Sequence, residues 1–277
     1  MGVVSFSFFS GALYARKVCQ VYLPRSYDAS EDNRYPVIYL LHGLNGDETS
    51  WTVKGGAEET LDRLMADGTL RESIVVMPSD GGYGHGTFYV NWYDGTGRFE
   101  DYFLYDLMPS IDREFRTIAD RSSRALCGLS MGGYGAMVLS LRNPELFTAA
   151  SSIAGAMMST GLMTDQFLRS EVSRLVGPVH GPFARELDLH VLAARRLREE
   201  LRPELHFNCG VSDYLYPLNS AFKALLDQLG YPHEYMEYEG EHDWTYFGGH
   251  LPEALAFIER AFAGTPLNGA PAELSLE

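Results

Sequence analysis

Leu126-Cys127-Gly128-Leu129-Ser130-Met131-Gly132-Gly133-Tyr134-Gly135-Ala136 decides how this chain is read. A short apolar run, Ala125 to Cys127, precedes the glycines as the end of a buried strand would. A small-residue helix, Tyr134 to Leu141, follows and is closed by Asn143-Pro144. Gly-x-Ser-x-Gly on a strand-to-helix turn is the pattern of a nucleophile elbow. Such a turn holds its serine in a strained backbone conformation. Side chains at the flanking positions would collide with the neighbouring strand and helix, so glycine is required at Gly128 and Gly132. The bend lifts the Ser130 hydroxyl out of the sheet, and the helix starting there aims its N–H groups at any negative charge forming nearby. With 28 Gly in 277 residues, the bare pattern arises by chance in roughly one or two chains in ten. Its weight therefore rests on the strand before it and the helix after it.

Outward from this stretch the chain alternates strands and helices. Val3–Ser10 and Lys17–Pro24 read as an antiparallel hairpin turning at Gly11, at one edge of a sheet. The apolar run from Tyr35 to Gly43 predicts a strand buried on both faces. A helix over Ala57–Ala66 and a strand over Ser73–Met77 follow. Ser79 to Gly97 has neither helical nor strand period and carries Tyr83, Phe88, Tyr89, Trp92 and Tyr93, which predicts a long functional loop. Phe99 to Phe115 predicts an amphipathic helix facing the sheet with Tyr102, Tyr105, Leu107 and Ile111, with Pro109 as a kink point. After the elbow come a strand at Thr148–Ile153, a strand at Glu204–Cys209, a helix at Pro217–Leu229, a strand at His233–Tyr238 and a helix at Pro252–Phe262. The rhythm predicts a mostly parallel sheet with helices on both faces, in one domain over residues 1–263. Only residues 157–200 break it. Met157, Met158, Met163, Phe167 and Phe183, punctuated by Gly177-Pro178 and Gly181-Pro182, fit equally a lid insertion or a plain helical connection. Residues 264–277 read as a loose tail.

The net charge of −15 argues against nucleic acid or an anionic membrane as a partner. No apolar run approaches the ~20 residues of a membrane span, and the apolar start lacks the basic residues of a signal peptide, so a cytoplasmic location is the default expectation. Cys19, Cys127 and Cys209 each lie in an apolar, strand-like run, as core thiols in a reducing compartment would. The eight histidines form no metal-binding pair with a carboxylate partner, so neither a metal nor any other cofactor is expected. Oligomeric state is not legible.

A serine becomes a nucleophile when a base takes its proton and an acid orients that base. In elbow-containing folds these follow in the order Ser, Asp or Glu, His, each in a loop at the carboxyl end of a strand. Of the late histidines, His233 opens a strand at the wrong end and His250 lies toward the next helix. His242, reached through Glu239-Gly240-Glu241, is the expected base, against a loop histidine capping the last helix. Asp213, in the loop after Leu205–Cys209, is the expected acid, against a cap for the helix near Pro217. Asp243 reads as the cap of the final segment. The backbone N–H groups of Met131 and of Leu44, in His42-Gly43-Leu44-Asn45-Gly46, are the expected oxyanion donors. His42 itself reads as a structural histidine bonding the loop. Trp92, Tyr93 and Trp244 are candidate substrate-binding aromatics, with packing as the alternative for each.

With these residues in place, the chain resembles the esterase D family of α/β-hydrolases, which includes S-formylglutathione hydrolases, tributyrin and feruloyl esterases, and mycolyltransferases. The resemblance runs through His42-Gly43-Leu44-Asn45-Gly46 with Trp51, Phe88-Tyr89-Val90-Asn91-Trp92, Arg98-Phe99-Glu100-Asp101-Tyr102, the elbow, Cys209-Gly210-Val211-Ser212-Asp213 and Glu241-His242-Asp243-Trp244. It implies a triad of Ser130, Asp213 and His242, an oxyanion hole from the Leu44 and Met131 amides, and a small-molecule ester as substrate. Asn45-Gly46 stands where the glutathione-linked members usually carry Thr-Cys. That departure favours a carboxylesterase for short acyl or aryl-acyl esters over an S-formylglutathione hydrolase. An acyltransferase to a sugar and a silent hydrolase fold used for binding are the other readings.

Overall fold

The computed structural model describes residues 2–29, 31–82, 86–159 and 169–265. Among them are eight strands: β1 (Val3–Ser10), β2 (Ala15–Tyr22), β3 (Val37–Leu41), β4 (Ile74–Pro78), β5 (Arg124–Leu129), β6 (Ala149–Ile153), β7 (Glu204–Gly210) and β8 (His233–Tyr238). They form one sheet in the order β1-β2-β4-β3-β5-β6-β7-β8. The β1–β2 hairpin and its junction with β4 are antiparallel, and every other pairing is parallel.

Strand period explains the two-sided core. Side chains alternate between faces, and β3 divides accordingly. Val37, Tyr39 and Leu41 join the core beneath Phe103, Leu107 and the helix Met131–Arg142. Ile38 and Leu40 join the opposite core with Leu61, Leu64 and the helix Trp244–Phe262. All five are fully buried, as a central parallel strand requires. β5 lies between β3 and β6, with Leu41 paired to Gly128 and Gly128 to Ser152. That register places the elbow in the middle of the sheet's carboxyl edge.

Three helices depart from the expected boundaries. The helix expected from Phe99 to Phe115 is interrupted by a π-helical stretch at Tyr102–Leu107 before continuing as Met108–Glu114. The wider π turn shifts the facing register: Tyr102, Phe103, Leu107 and Ile111 are buried, while Tyr105, expected against the sheet, is 69% exposed. Pro109 falls where the α register resumes, at a first-turn position that tolerates its missing N–H. The elbow helix begins at Met131, three residues ahead of the expected Tyr134. The final helix begins at Trp244 rather than Pro252 and carries Pro252 inside it. Asp243 caps it there by accepting the Tyr246 N–H at 2.9 Å. Burial of Leu251, Ala254, Leu255, Phe257 and Ile258 outweighs the one backbone bond the proline removes.

In the segment that breaks the strand–helix rhythm, the structure describes helices at Arg169–Val176, Pro182–Arg185 and Leu189–Arg196. Tyr134 OH donates to Leu187 O at 2.7 Å, and the Tyr93 and Asp94 amides donate to Leu175 O and Arg174 O. Tyr83, Met163, Phe167 and the tail beyond Thr265 lie outside the described residues.

Candidate active site

Ser130 sits at φ 54°, ψ −119°, a conformation that costs a non-glycine residue about 1–3 kcal/mol. Surrounding bonds hold it there. Its N–H donates to Ile153 O at 3.1 Å, and its carbonyl accepts the N–H groups of Tyr134 and Ala156. The backbones on either side touch. A Cβ on Gly128 would lie 2.2 Å from Gly132 O, and one on Gly132 would lie 2.5 Å from His42 O and Leu41 O. Because the obstacles are backbone atoms, Gly128→Ala is expected to cost about 3 kcal/mol or more. For a chain of this size that corresponds to a fall in Tm of roughly 6–12 °C, which calorimetry would measure; an unchanged Tm would mean the strand and helix are not pressed together here.

The loops after β7 and β8 are knitted together. Val211 N–H donates to Tyr238 O at 2.9 Å and Ser212 N–H to Gly240 O at 3.2 Å. The two backbones approach so closely at Gly210 that a Cβ there would meet Gly240 O at 2.3 Å. This pairing brings Asp213 and His242 side by side. Asp213 Oδ2 lies 2.6 Å from His242 Nδ1, and His242 Nε2 lies 2.9 Å from Ser130 Oγ. Asp213 Oδ1 also accepts the Leu215 N–H at 2.7 Å, so the carboxylate both orients the imidazole and caps its own loop. This bond does not make Asp213 a helix cap: the helix Tyr216–Leu229 starts after Leu215 with no side-chain cap bond.

Leu44 follows β3, where Gly46 N–H donates to Gly43 O and Asn45 takes a left-handed φ of 60°. Met131 opens the elbow helix. Among the described residues neither amide donates to a protein acceptor, and both residues line the cavity beside Ser130. His42 is buried and structural, as expected. Its Nε2 accepts the Asp80 N–H at 3.1 Å, so the proton is on Nδ1 and is donated to Gly43 O at 2.8 Å. This fixes the neutral tautomer and props the Leu44 loop.

Two cavities meet at Ser130. One is apolar, lined by Leu44, Phe88, Met131, Ala156, Met158 and Leu215. The other is more polar and contains His242, Lys54, Asn45, Trp244 and Phe247. Tyr214 borders both, its ring centroid 4.6 Å from that of His242, and Phe247 meets the imidazole edge-on at 4.9 Å. Burial and the adjacent Asp213 carboxylate push the Tyr214 phenol above its ordinary range. Of the three aromatics named from sequence, only Trp244 lines either of these cavities. Trp92 is buried, donates from Nε1 to Thr87 O at 3.2 Å and carries Arg174 over its face. Tyr93 packs edge-on against Phe183 at 5.4 Å. Both join the 88–97 loop to the helices after Arg169, and neither lines these two cavities. Tyr214, Phe247 and Lys54 were not singled out from sequence; the signal available for the first two was their adjacency to Asp213 and to His242.

A second serine–histidine–carboxylate row runs behind the site. Ser151 Oγ lies 2.8 Å from His206 Nδ1, and His206 Nε2 lies 3.5 Å from Glu253 Oε1. Ser151 is completely buried, so no ester reaches it and the row is structural. The three cysteines are free and buried, and burial pushes the Cys127 thiol up to about 12, far from a reactive thiolate. Among the described residues no group of three or more His, Cys, Asp or Glu could hold a metal ion, and no helix is long and apolar enough to cross a membrane.

Comparison with known proteins agrees with this architecture. The family described as "Putative esterase" matches residues 10–258. An endo-1,4-beta-xylanase/feruloyl esterase of Xylanibacter ruminicola is 39% identical over 149 residues, covering 51% of this chain and 20% of that protein. The chain spans only 20–28% of the length of the first curated relatives it matches. Among solved structures, a ferulic acid esterase superposes with a TM-score of 0.79 at 28% identity, over 94% of this chain and 98% of its own. An S-formylglutathione hydrolase of Staphylococcus aureus superposes with a TM-score of 0.74 at 22% identity, over 92% and 98%, a likeness of fold. The sheet and its flanking helices are those of an α/β-hydrolase.

Proposed function

The chain belongs to this esterase family, and from that premise we propose that it is a serine carboxylesterase cleaving short-chain acyl or aryl-acyl esters through an acyl-enzyme on Ser130. The observation that carries the reading is the continuous relay from Ser130 Oγ to His242 Nε2, 2.9 Å, and from Nδ1 to Asp213, 2.6 Å. His242 Nε2 takes the serine proton as Oγ attacks the ester carbonyl. The Leu44 and Met131 amides receive the oxyanion; two such donors each contribute about 3–4 kcal/mol of transition-state stabilisation. The imidazolium then returns the proton to the departing alcohol. Water, deprotonated by the same nitrogen, releases the acid. We read residues 1–263 as the catalytic unit.

The two cavities sort the substrate's halves. The leaving oxygen must come within hydrogen-bonding reach of Nε2, and His242 lines only the polar cavity. The alcohol therefore occupies that side and the acyl group lies against Phe88, Met158 and Leu215. An apolar acyl wall of this kind suits an alkanoyl or hydroxycinnamoyl group, in keeping with the ferulic acid esterase likeness.

The test is covalent labelling combined with a substrate panel. A fluorophosphonate is expected to modify the protein at Ser130, read by peptide mass spectrometry. Acetyl, butyryl and feruloyl esters are expected to turn over faster than S-formylglutathione. Labelling elsewhere, or S-formylglutathione as the best substrate, would replace this reading.

A further inference from the structure

The polar cavity contains a feature that ester hydrolysis itself does not require. Lys54 ends the short helix Ser50–Val53, and its Nζ lies 5.9 Å from the centre of the Trp244 ring. Among the described residues no carboxylate comes within 4 Å of that ammonium. The surface around it is rigid. Trp51 is buried, donates from Nε1 to Leu41 O at 3.0 Å, and meets Trp244 edge-on at 5.6 Å. Gly55 is wedged against both rings: a Cβ there would lie 2.7 Å from Trp51 and 3.1 Å from Trp244. The backbone bearing Lys54 therefore cannot shift without displacing the indoles. In a protein of net charge −15, a cation on an aromatic face of the cavity that His242 lines, with no carboxylate within 4 Å among the described residues, is a place for a negative group to bind.

We infer that Lys54 and Trp244 form a leaving-group subsite that selects esters whose alcohol carries a negative charge. This rests on the serine esterase reading, because it places the alcohol on the His242 side of Ser130. An anionic group leaving there shares its cavity with the Lys54 ammonium, whereas no cationic side chain lines the acyl cavity. An aromatic or ring-shaped alcohol would also contact the indole.

The experiment compares 4-acetoxybenzoate with 4-acetoxybenzamide, which share shape and acyl group and differ in charge. The readout is the ratio of their kcat/KM values in wild type, Lys54→Gln, Lys54→Glu and Lys54→Arg. Lys54→Gln is expected to lower the anion-to-neutral ratio about fivefold, the upper range for one exposed charge pair. Lys54→Glu should lower it further, Lys54→Arg should restore it, and added salt should shrink the wild-type preference. A ratio that stays within about twofold of wild type in both the Gln and Glu variants overturns the assignment. Failure of the underlying reading looks different: Ser130→Ala would then hydrolyse both acetates, whereas failure here leaves turnover dependent on Ser130 but blind to charge.

Discussion

Replacing Ser130 with alanine is expected to lower kcat/KM for 4-nitrophenyl acetate by roughly five orders of magnitude, equivalent to about 7 kcal/mol of barrier. The substitution removes Oγ alone. His242 stays 2.6 Å from Asp213, and Leu44 and Met131 still line the cavity, so on the proposed mechanism a small residual rate from their amides is expected. The fold should not change, because alanine meets the same φ of 54° that serine already tolerates. Circular dichroism and Tm close to wild type, together with loss of fluorophosphonate labelling, would complete the result. Retention of even a few per cent of activity would move the nucleophile elsewhere.

Asp213→Asn is expected to cost about 10⁴-fold in kcat, although the side chain keeps its size and place. The reason lies in its second hydrogen bond. Asp213 Oδ1 accepts from Leu215 N–H at 2.7 Å while Oδ2 faces His242 Nδ1. An asparagine must present its carbonyl oxygen to the Leu215 N–H, since the opposite flip would set two donors against each other. Its NH₂ group then points at Nδ1, which has to accept. The imidazole proton is driven to Nε2, the atom that must take the proton of Ser130. The base is thus held in the wrong tautomer by a loop amide two residues away. Steady-state kinetics on the purified variant would show the loss in kcat at near-normal Tm; a loss below tenfold would mean that Asp213 does not orient His242.

The fold and the relay were legible for the same physical reason. Gly128, Ser130 and Gly132 report a bend that only those residue types permit, and the lack of room for a Cβ at Gly128, which would lie 2.2 Å from Gly132 O, is what the glycine pattern encodes. Asp213 and His242 follow from chain order, because each lies in the loop just beyond a strand, β7 or β8, at the carboxyl edge of the sheet. The aromatics were less readable. Trp92 and Trp244 look alike in sequence, yet one donates inward to Thr87 O and the other borders the cavity. Composition says that a ring is present, and backbone direction decides where it points. Tyr105 failed similarly, since a π turn shifts the helical register without leaving a mark in apolar spacing. Pro252 misleads in another way: a proline reads as a helix start, but the Asp243 cap nine residues earlier begins the helix.

Ser130 leaves a strand in the middle of the sheet, while His242 follows the outermost parallel strand, 112 residues further along. During synthesis the hydroxyl is therefore finished long before the imidazole that arms it exists. On the proposed mechanism, Ser130 gains its base only when the last strand has docked. Turnover by that mechanism would report closure of the whole sheet, not the integrity of either half.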